Sequence, residues 1–231
     1  MTRLLAHAIT RRSAGGPEAG LRGLPLQQIT AGELGLWATR WAGEPTLSRD
    51  DAFAHHDLVG VLCDSGPCAP VRFGTWLADD DAARRSLEID QERFAAALDR
   101  LADRREVAVT LLWKDAPVHE GRGHAVGAAS GRTFLERRRA VHAVTDDRRS
   151  DAEAFAARLA RELAVEQADA RHESCPSAEV ALSMSLLARR HDADALKARA
   201  TASVAGLAGV RGVVSGPWPP YSFTEDLGHG R

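Results

Sequence analysis

Apolar residues recur along this chain with two different periods, and the period predicts the element. Leu4 to Ile9 is a short apolar run stopped by Thr10-Arg11-Arg12, which predicts a strand. Ser13 to Gly23 is rich in glycine and carries Pro17, which predicts a loop. Leu26–Thr30 and Leu34–Trp41 alternate in polarity around Ala31-Gly32-Glu33, a hairpin pattern. Ser48-Arg49-Asp50-Asp51 opens a helix. Ser48 can cap the free N–H groups, and the two aspartates favour the positive end of the helix dipole. Phe53, Leu58, Val59 and Leu62 give that helix one apolar side, and Asp64-Ser65-Gly66-Pro67 stops it. Ala69–Phe73 predicts a further strand, ended by Gly74. The order β-ββ-α-β describes a small α+β unit.

Downstream, Asp79–Arg104 predicts one long helix with Ile89, Phe94, Leu98 and Leu101 near one stripe. Arg105–Lys114 places Val107, Val109, Leu111 and Trp113 at alternate positions of a strand. Asp115–Ser130, rich in Gly and His, predicts a loop. Gly131–Ala168 predicts a helix that breaks near Thr145-Asp146-Asp147, with Phe155, Leu159 and Leu163 on one side. Ala168–Ser174 and Val180–Leu187 predict strands, Asp192–Leu207 an Ala-rich helix, and Val210–Ser215 a last strand. From Arg105 the order is βαββαβ, the ferredoxin-like order. Three prolines then argue that Gly216–Phe223 leaves the sheet as an extended tail. The expected fold is α+β with two small domains, residues 1–78 and 79–215, followed by a Pro/aromatic tail, 216–231. The expected boundary lies between Thr75 and Asp81.

Composition narrows the partners. The chain has 231 residues, 44% apolar and 27% charged, which is enough to bury a core. A net charge of −2 gives no general pull toward nucleic acid or anionic lipid. No apolar run reaches the length of a membrane span, and Met1–His7 lacks the apolar core of a signal peptide. Three cysteines are too few for a disulfide scaffold. The chain therefore reads as cytoplasmic, without nucleic-acid or membrane partners. Aromatic residues are only 5%, so each Trp is expected to anchor a packed position.

Candidate chemistry is sparse. His55, His56, Cys63 and Cys68 offer zinc-type donors, but the Cys63–Cys68 gap spans a helix end and the histidines are adjacent. A small metal-binding protein or enzyme using His55, Cys63 and Cys68 is the alternative reading. Gly121–Gly127 lacks the Lys-Ser/Thr of a phosphate loop, and no G-x-S-x-G elbow is present. Asp79-Asp80-Asp81 and Asp146-Asp147 fit a helix start and a solvated face. RNA recognition by a ferredoxin-like sheet needs stacked aromatics, and its strands offer Trp113 alone. No catalytic residue, metal site or cofactor is expected. Arg72, between Val71 and Phe73 of a strand, points opposite to both; facing an interior it needs a carboxylate partner, for which Glu106 is one candidate, and a structural ion pair is the expected reading, since an unpaired buried charge is costly. Arg137 and Arg138 lie in a basic run suited to a partner-binding edge. Trp218, Tyr221 and Phe223 are expected to dock the tail on its own domain.

Three motifs in order resemble the gas vesicle protein F/L family (GvpF/GvpL). They are Pro70-Val71-Arg72-Phe73-Gly74-Thr75, then Ser130-Gly131-Arg132-Thr133-Phe134-Leu135 with its following arginines, then Gly216-Pro217-Trp218-Pro219-Pro220-Tyr221-Ser222-Phe223. The resemblance spans nearly the whole chain. It departs in a shortened Ser13–Gly23 loop and in His56, where an acidic residue is expected. The resemblance implies a non-enzymatic accessory or minor structural protein of gas vesicle assembly, on the gas-facing inner surface of the shell. The implied partners are the hydrophobic shell protein, bound during nucleation or growth, and other accessory proteins. The implied partner-binding residues are Arg72, Phe73, Gly74 and Thr75, with Arg137 and Arg138.

Overall fold

Strand β1 (Thr2–Arg11) is buried from Leu4 to Thr10 without a break, because both of its faces are covered. In the computed structural model, which describes residues 2–12, 14–43, 46–115 and 131–224 (backbone only for 131–145), β1 runs antiparallel to β3 (Leu34–Ala42). β3 pairs in turn with β2 (Leu26–Ala31) through the expected hairpin, where Gly32 supplies a positive φ of 56°. On its other side β1 pairs with β4 (Cys68–Pro70) and β5 (Trp76–Leu77), so the sheet order is β2-β3-β1-β4 with β5 beside β1. The β1–β3 register slips between Ala6 and Ala8, which leaves His7 as a bulge residue.

Successive strand residues point to opposite faces, and the two faces gather different clusters. Leu4, Ala6, Ile9, Leu36 and Ala38 face α2 (Asp80–Ile89) and α3 (Gln91–Leu101), which contribute Ala83, Leu87, Phe94, Leu98 and Leu101. Leu5, Ala8, Trp37 and Trp41 face α1 (Arg49–Ser65), which contributes Leu58, Val59, Leu62 and Cys63. Ser48 caps α1 as expected and completes a reciprocal box. Its hydroxyl accepts from the Asp51 N–H at 3.2 Å, and its own N–H donates to the Asp51 carboxylate at 2.7 Å.

Two elements differ from expectation here. The single helix expected over Asp79–Arg104 is two helices, because Asp90 leaves helical geometry (φ −108°, ψ 23°), and Ile89 ends up 80% exposed instead of in the stripe. The strand expected over Ala69–Phe73 stops at Pro70, and the chain turns.

The chain divides into two compact units. One comprises Met1–Glu106, Leu187–His191 and Pro217–Arg231; the other comprises Val107–Leu186 and Asp192–Gly216. The first unit thus runs past the expected boundary between Thr75 and Asp81 and takes in α2 and α3.

The second unit follows the order β6 (Arg104–Trp113), α4 (Gly131–Leu163), β7 (Ala170–Ser174), β8 (Val180–Arg189), α5 (Ala193–Ala205), β9 (Val210–Trp218), with sheet order β7-β8-β6-β9. The weak strand β7 is present and pairs antiparallel with β8 from Ala170↔Leu186 to Ser174↔Leu182. Helix α4 keeps its helical backbone through Thr145–Asp147, where a break was expected, and ends at Leu163 rather than Ala168. Ala152, Ala156, Leu159 and Leu163 form its buried stripe, while Phe155 lies half-buried against Trp113. Gly212 lets α5 approach β9 closely, since a Cβ there would fall 2.5 Å from Val204 Cβ. Strand β9 does not stop at Ser215 but continues through Gly216 and Pro217 to Trp218, which an edge strand tolerates. Tyr221–Phe223 then forms a 3-10 turn instead of an extended tail. Residues 116–130 and 225–231, which include most of the expected Gly/His loop and the end of the tail, lie outside the described residues.

Candidate functional site

The Pro70–Thr75 motif forms a tight turn between β4 and β5. Thr75 N–H donates to the Arg72 carbonyl at 3.2 Å, and Thr75 Oγ1 donates to the same carbonyl at 2.7 Å. Gly74, third of the four turn residues, sits at φ +84°, which explains a glycine there. The turn is laced to β1 at both ends: Val71 N–H donates to the His7 carbonyl at 2.9 Å, and Ala6 N–H donates to the Thr75 carbonyl at 3.0 Å. The carbonyl that Val71 binds is that of the bulge residue.

His7 itself points into the α1-facing side of the sheet and begins a buried polar chain. His55 Nε2 lies 3.1 Å from the Val71 carbonyl, which can only accept, so Nε2 carries the proton. The neutral His55 ring then accepts at Nδ1, 2.9 Å from His7 Nδ1, which donates. His7 Nε2 accepts in turn from the Thr39 hydroxyl at 2.7 Å. The direction of every hydrogen bond follows from the one carbonyl at the end of the chain. Burial lowers both imidazoles, His7 to about 3 with its neighbour His55 adding to the effect, and His55 to about 4.

The C-terminal segment closes over this region. Tyr221 stacks on His56 at 6.0 Å, and Trp218 meets His56 edge-on at 4.9 Å. Phe73 and Tyr221 lie 5.3 Å and 6.4 Å from the His55 ring. Phe223 is buried in the α2/α3-facing cluster, so the segment gives one ring to each face of the sheet. Ser222 donates to Glu106 twice, from N–H at 2.9 Å and Oγ at 2.7 Å, and Thr224 Oγ1 donates to the Pro70 carbonyl at 2.9 Å. Between the sheet and α2/α3 lies a cavity of about 870 Å³, lined by Leu36, Val71, Trp76, Leu87 and Phe94, with Tyr221, Ser222 and Thr224 on one side.

Arg72 is a correction. It is exposed, and Glu106, its candidate partner, is taken by Ser222 instead. The expected orientation rested on strand alternation, and a turn has none. Phe73 and Thr75 are half-buried within the turn. Arg137 and Arg138 fall on α4, where side chains lie outside the described residues. The metal reading finds no support in the donors. Both ring nitrogens of His55 are hydrogen-bonded. The Cys63 thiol and burial push the Cys68 thiol up, away from the thiolate that binds metal. Among the described residues no three such side chains converge. His7 and Thr39 were not singled out from sequence; the available signal was a histidine inside the apolar run Leu4–Ile9.

Both sheets, the capped helices and the turn belong to a mixed α+β fold, and that fold is shared with proteins of one class. Two solved structures resemble the chain across nearly its whole length. They are the gas vesicle protein GvpF from Anabaena sp. PCC7120 (TM-score 0.72, 14% identity, 97% of each chain) and GvpF from Microcystis aeruginosa (0.71, 13%, 96% of this chain and 99% of that one). At such identity they establish the fold. Two sequences from Streptomyces sp. (strain CB03234) are nearer. Gas vesicle protein L is 32% identical over 186 residues, 75% of this chain and 68% of that protein. Gas vesicle protein F is 26% identical over 215 residues, 87% of this chain and 88% of that one. The profile of the gas vesicle synthesis protein GvpL/GvpF family matches residues 4–225. The chain belongs to that family, and so takes part in gas vesicle assembly. No helix among the described residues is long and apolar enough to cross a membrane.

Proposed function

We propose that the chain is a non-enzymatic accessory of gas vesicle assembly that binds the hydrophobic shell protein during nucleation or growth, in the cytoplasm and on the gas-facing surface of the shell. The observation that carries this reading is the family match over residues 4–225. A shell subunit with a strongly apolar face aggregates unless that face is held by a partner before assembly. The contact is assigned to the Arg72–Thr75 turn, with Arg137 and Arg138 of α4 as a second point for the shell or another accessory protein. What supports the turn is its construction: Arg72 is exposed at its start, while both ends are tied to β1. The docking role of Trp218, Tyr221 and Phe223 is supported by their ring contacts and by the Ser222–Glu106 and Thr224–Pro70 bonds. The βαββαβ order and the sheet order β7-β8-β6-β9 support reading the second unit as ferredoxin-like.

The test is capture of shell protein on the immobilised full chain. Arg72→Ala removes only an exposed side chain, so its fold is preserved, and it is expected to capture markedly less shell protein than wild type. Equal capture removes the turn from the interface. No capture by the wild-type chain removes the shell protein as the partner.

A further inference from the structure

We propose that the His7–His55 pair is an acid-sensitive latch: proton uptake by the two rings releases the Val71–Thr75 turn from the first sheet while the C-terminal segment stays docked. The inference stands on the geometry of the first unit and does not depend on what the turn binds. If the turn is the shell-protein contact, the latch becomes a regulator of that contact.

The neutral chain Thr39→His7→His55→Val71 satisfies each polar group with one bond. An added proton finds an acceptor only if Thr39 turns its hydroxyl around, and the new charge then sits among rings and aliphatic side chains. Among the described residues, the titratable groups around the pair offer it no counter-ion. On α1 they are His56, which opposes a charge on His55, and Cys63; on β4 there is Cys68; from the C-terminal segment there is Tyr221. Asp51, one turn before His55, is committed to Arg22 and Ser48. Arg72 in the turn is a cation and exposed. The site therefore rejects the charge, and the cheapest way to hydrate it is to open the covering that is held on by His55 itself. That covering is the turn: its Val71 carbonyl is the acceptor of His55 Nε2, its Val71 N–H rests on the His7 carbonyl, and Phe73 lies on the His55 ring. The C-terminal segment has separate anchors at Glu106 and Pro70, neither of which involves a histidine.

The sign is fixed by the shifts. Both rings are lowered when the turn is closed, from an ordinary 6.5 to about 3 and about 4. The closed turn is therefore fully favoured above pH 6.5 and loses its advantage as pH falls toward those lower values. Each ring contributes up to about tenfold per pH unit in that window.

Amide hydrogen exchange of the full chain at pH 7.5 and 5.0, corrected for the intrinsic rate at each pH, tests the latch. The reporters are the Val71 amide, bonded to the His7 carbonyl, and the Ala6 amide, bonded to the Thr75 carbonyl; the controls are the Ser222 amide and the β7–β8 amides of the second unit. The expected result is at least about a tenfold loss of protection at the reporters at pH 5.0, with controls changing less than about twofold. Unchanged reporters overturn the proposal, and so does an equal loss at the controls, which would show general unfolding. His7→Gln with His55→Gln is expected to abolish the pH difference at the reporters. If that variant does not fold, ring-nitrogen NMR of the wild type decides instead. Protons on His7 Nδ1 and His55 Nε2 at pH 7.5, with both rings still neutral at pH 5.5, support the latch; titration of either ring near 6.5 overturns it.

Discussion

The two faces of the first sheet are closed in different ways. The face under α2 and α3 is aliphatic almost throughout, from Leu4, Ile9 and Leu36 to Leu87 and Leu98, with Phe94 and Phe223 as its rings. The face under α1 carries Trp37 and Trp41 together with the buried His7, Thr39 and Thr10 and the α1 residue His55. Thr10 accepts from Trp37 Nε1 at 3.0 Å, so even the indole is tied into a hydrogen bond. The first face depends on volume alone. The second depends on direction as well, because the His7, His55, Thr39 and Trp37 side chains each donate to one particular acceptor. Volume errors cost contact and leave a void, whereas direction errors leave a buried polar group without a partner. The C-terminal segment obeys the same division, sending Phe223 to the first face and Tyr221 to the second.

The largest effect is expected on the aliphatic face. Leu98 is fully buried between α3 and the sheet, and Leu98→Ala is expected to cost about 2–5 kcal/mol, read from the urea midpoint of unfolding. A cost below about 1 kcal/mol would mean that α3 collapses easily onto the sheet, and that the volume of Leu98 is not what closes this face. On the other face Thr39→Val keeps the shape and removes only the donor to His7 Nε2. The expected cost is about 1–3 kcal/mol, the price of a buried acceptor left alone. If Thr39→Val costs nothing, the direction of hydrogen bonds is not what closes that face.

Smaller effects belong to the helix that covers the polar face. Ser48→Ala removes the hydroxyl half of the box with Asp51, leaving the backbone N–H bond to the Asp51 carboxylate, and is expected to cost about 1 kcal/mol by thermal or urea unfolding. Gly60, in the middle of α1, has open space where a Cβ would be. Gly60→Ala is expected to stabilise the chain by up to about 1 kcal/mol, through helix propensity and a less flexible unfolded state. A loss of stability there would show that the outer side of α1 is covered.

Periodicity made the elements legible and left their partners hidden. The hairpin at Gly32, the α1 cap at Ser48 and the strand with Val107, Val109 and Leu111 follow directly from spacing. The split between α2 and α3 was not legible, because Asp90 interrupts the backbone without disturbing the apolar repeat on either side. The turn at Gly74 had its signal, a glycine after an aromatic, but read as the end of a strand it gave Arg72 the wrong direction. Glu106 shows the general limit: its partner Ser222 lies 116 residues away, and no local pattern links them. His7 was masked by its setting, since a bulge in a run of buried aliphatic residues gives no periodic signature.

The finest distinction between the faces rests on Tyr221. Its ring lies in the polar face, stacked on His56, but its hydroxyl is buried and, among the described residues, has no hydrogen-bond partner. Burial pushes this phenol upward, with Cys63 and Cys68 adding to the shift, so the group stays a neutral O–H at any ordinary pH. An unmet donor costs free energy, and deleting it removes that cost without opening a cavity. Tyr221→Phe is therefore expected to be neutral or to stabilise the chain by a few tenths to about 1 kcal/mol in urea unfolding, in contrast to Thr39→Val a few residues away in space on the same hydrogen-bonded face. A clear loss on Tyr221→Phe, of about 1 kcal/mol or more, would mean that the hydroxyl is satisfied by a bound water. The polar face would then be closed at every donor it contains, and the rule that distinguishes it from the aliphatic face would hold without exception.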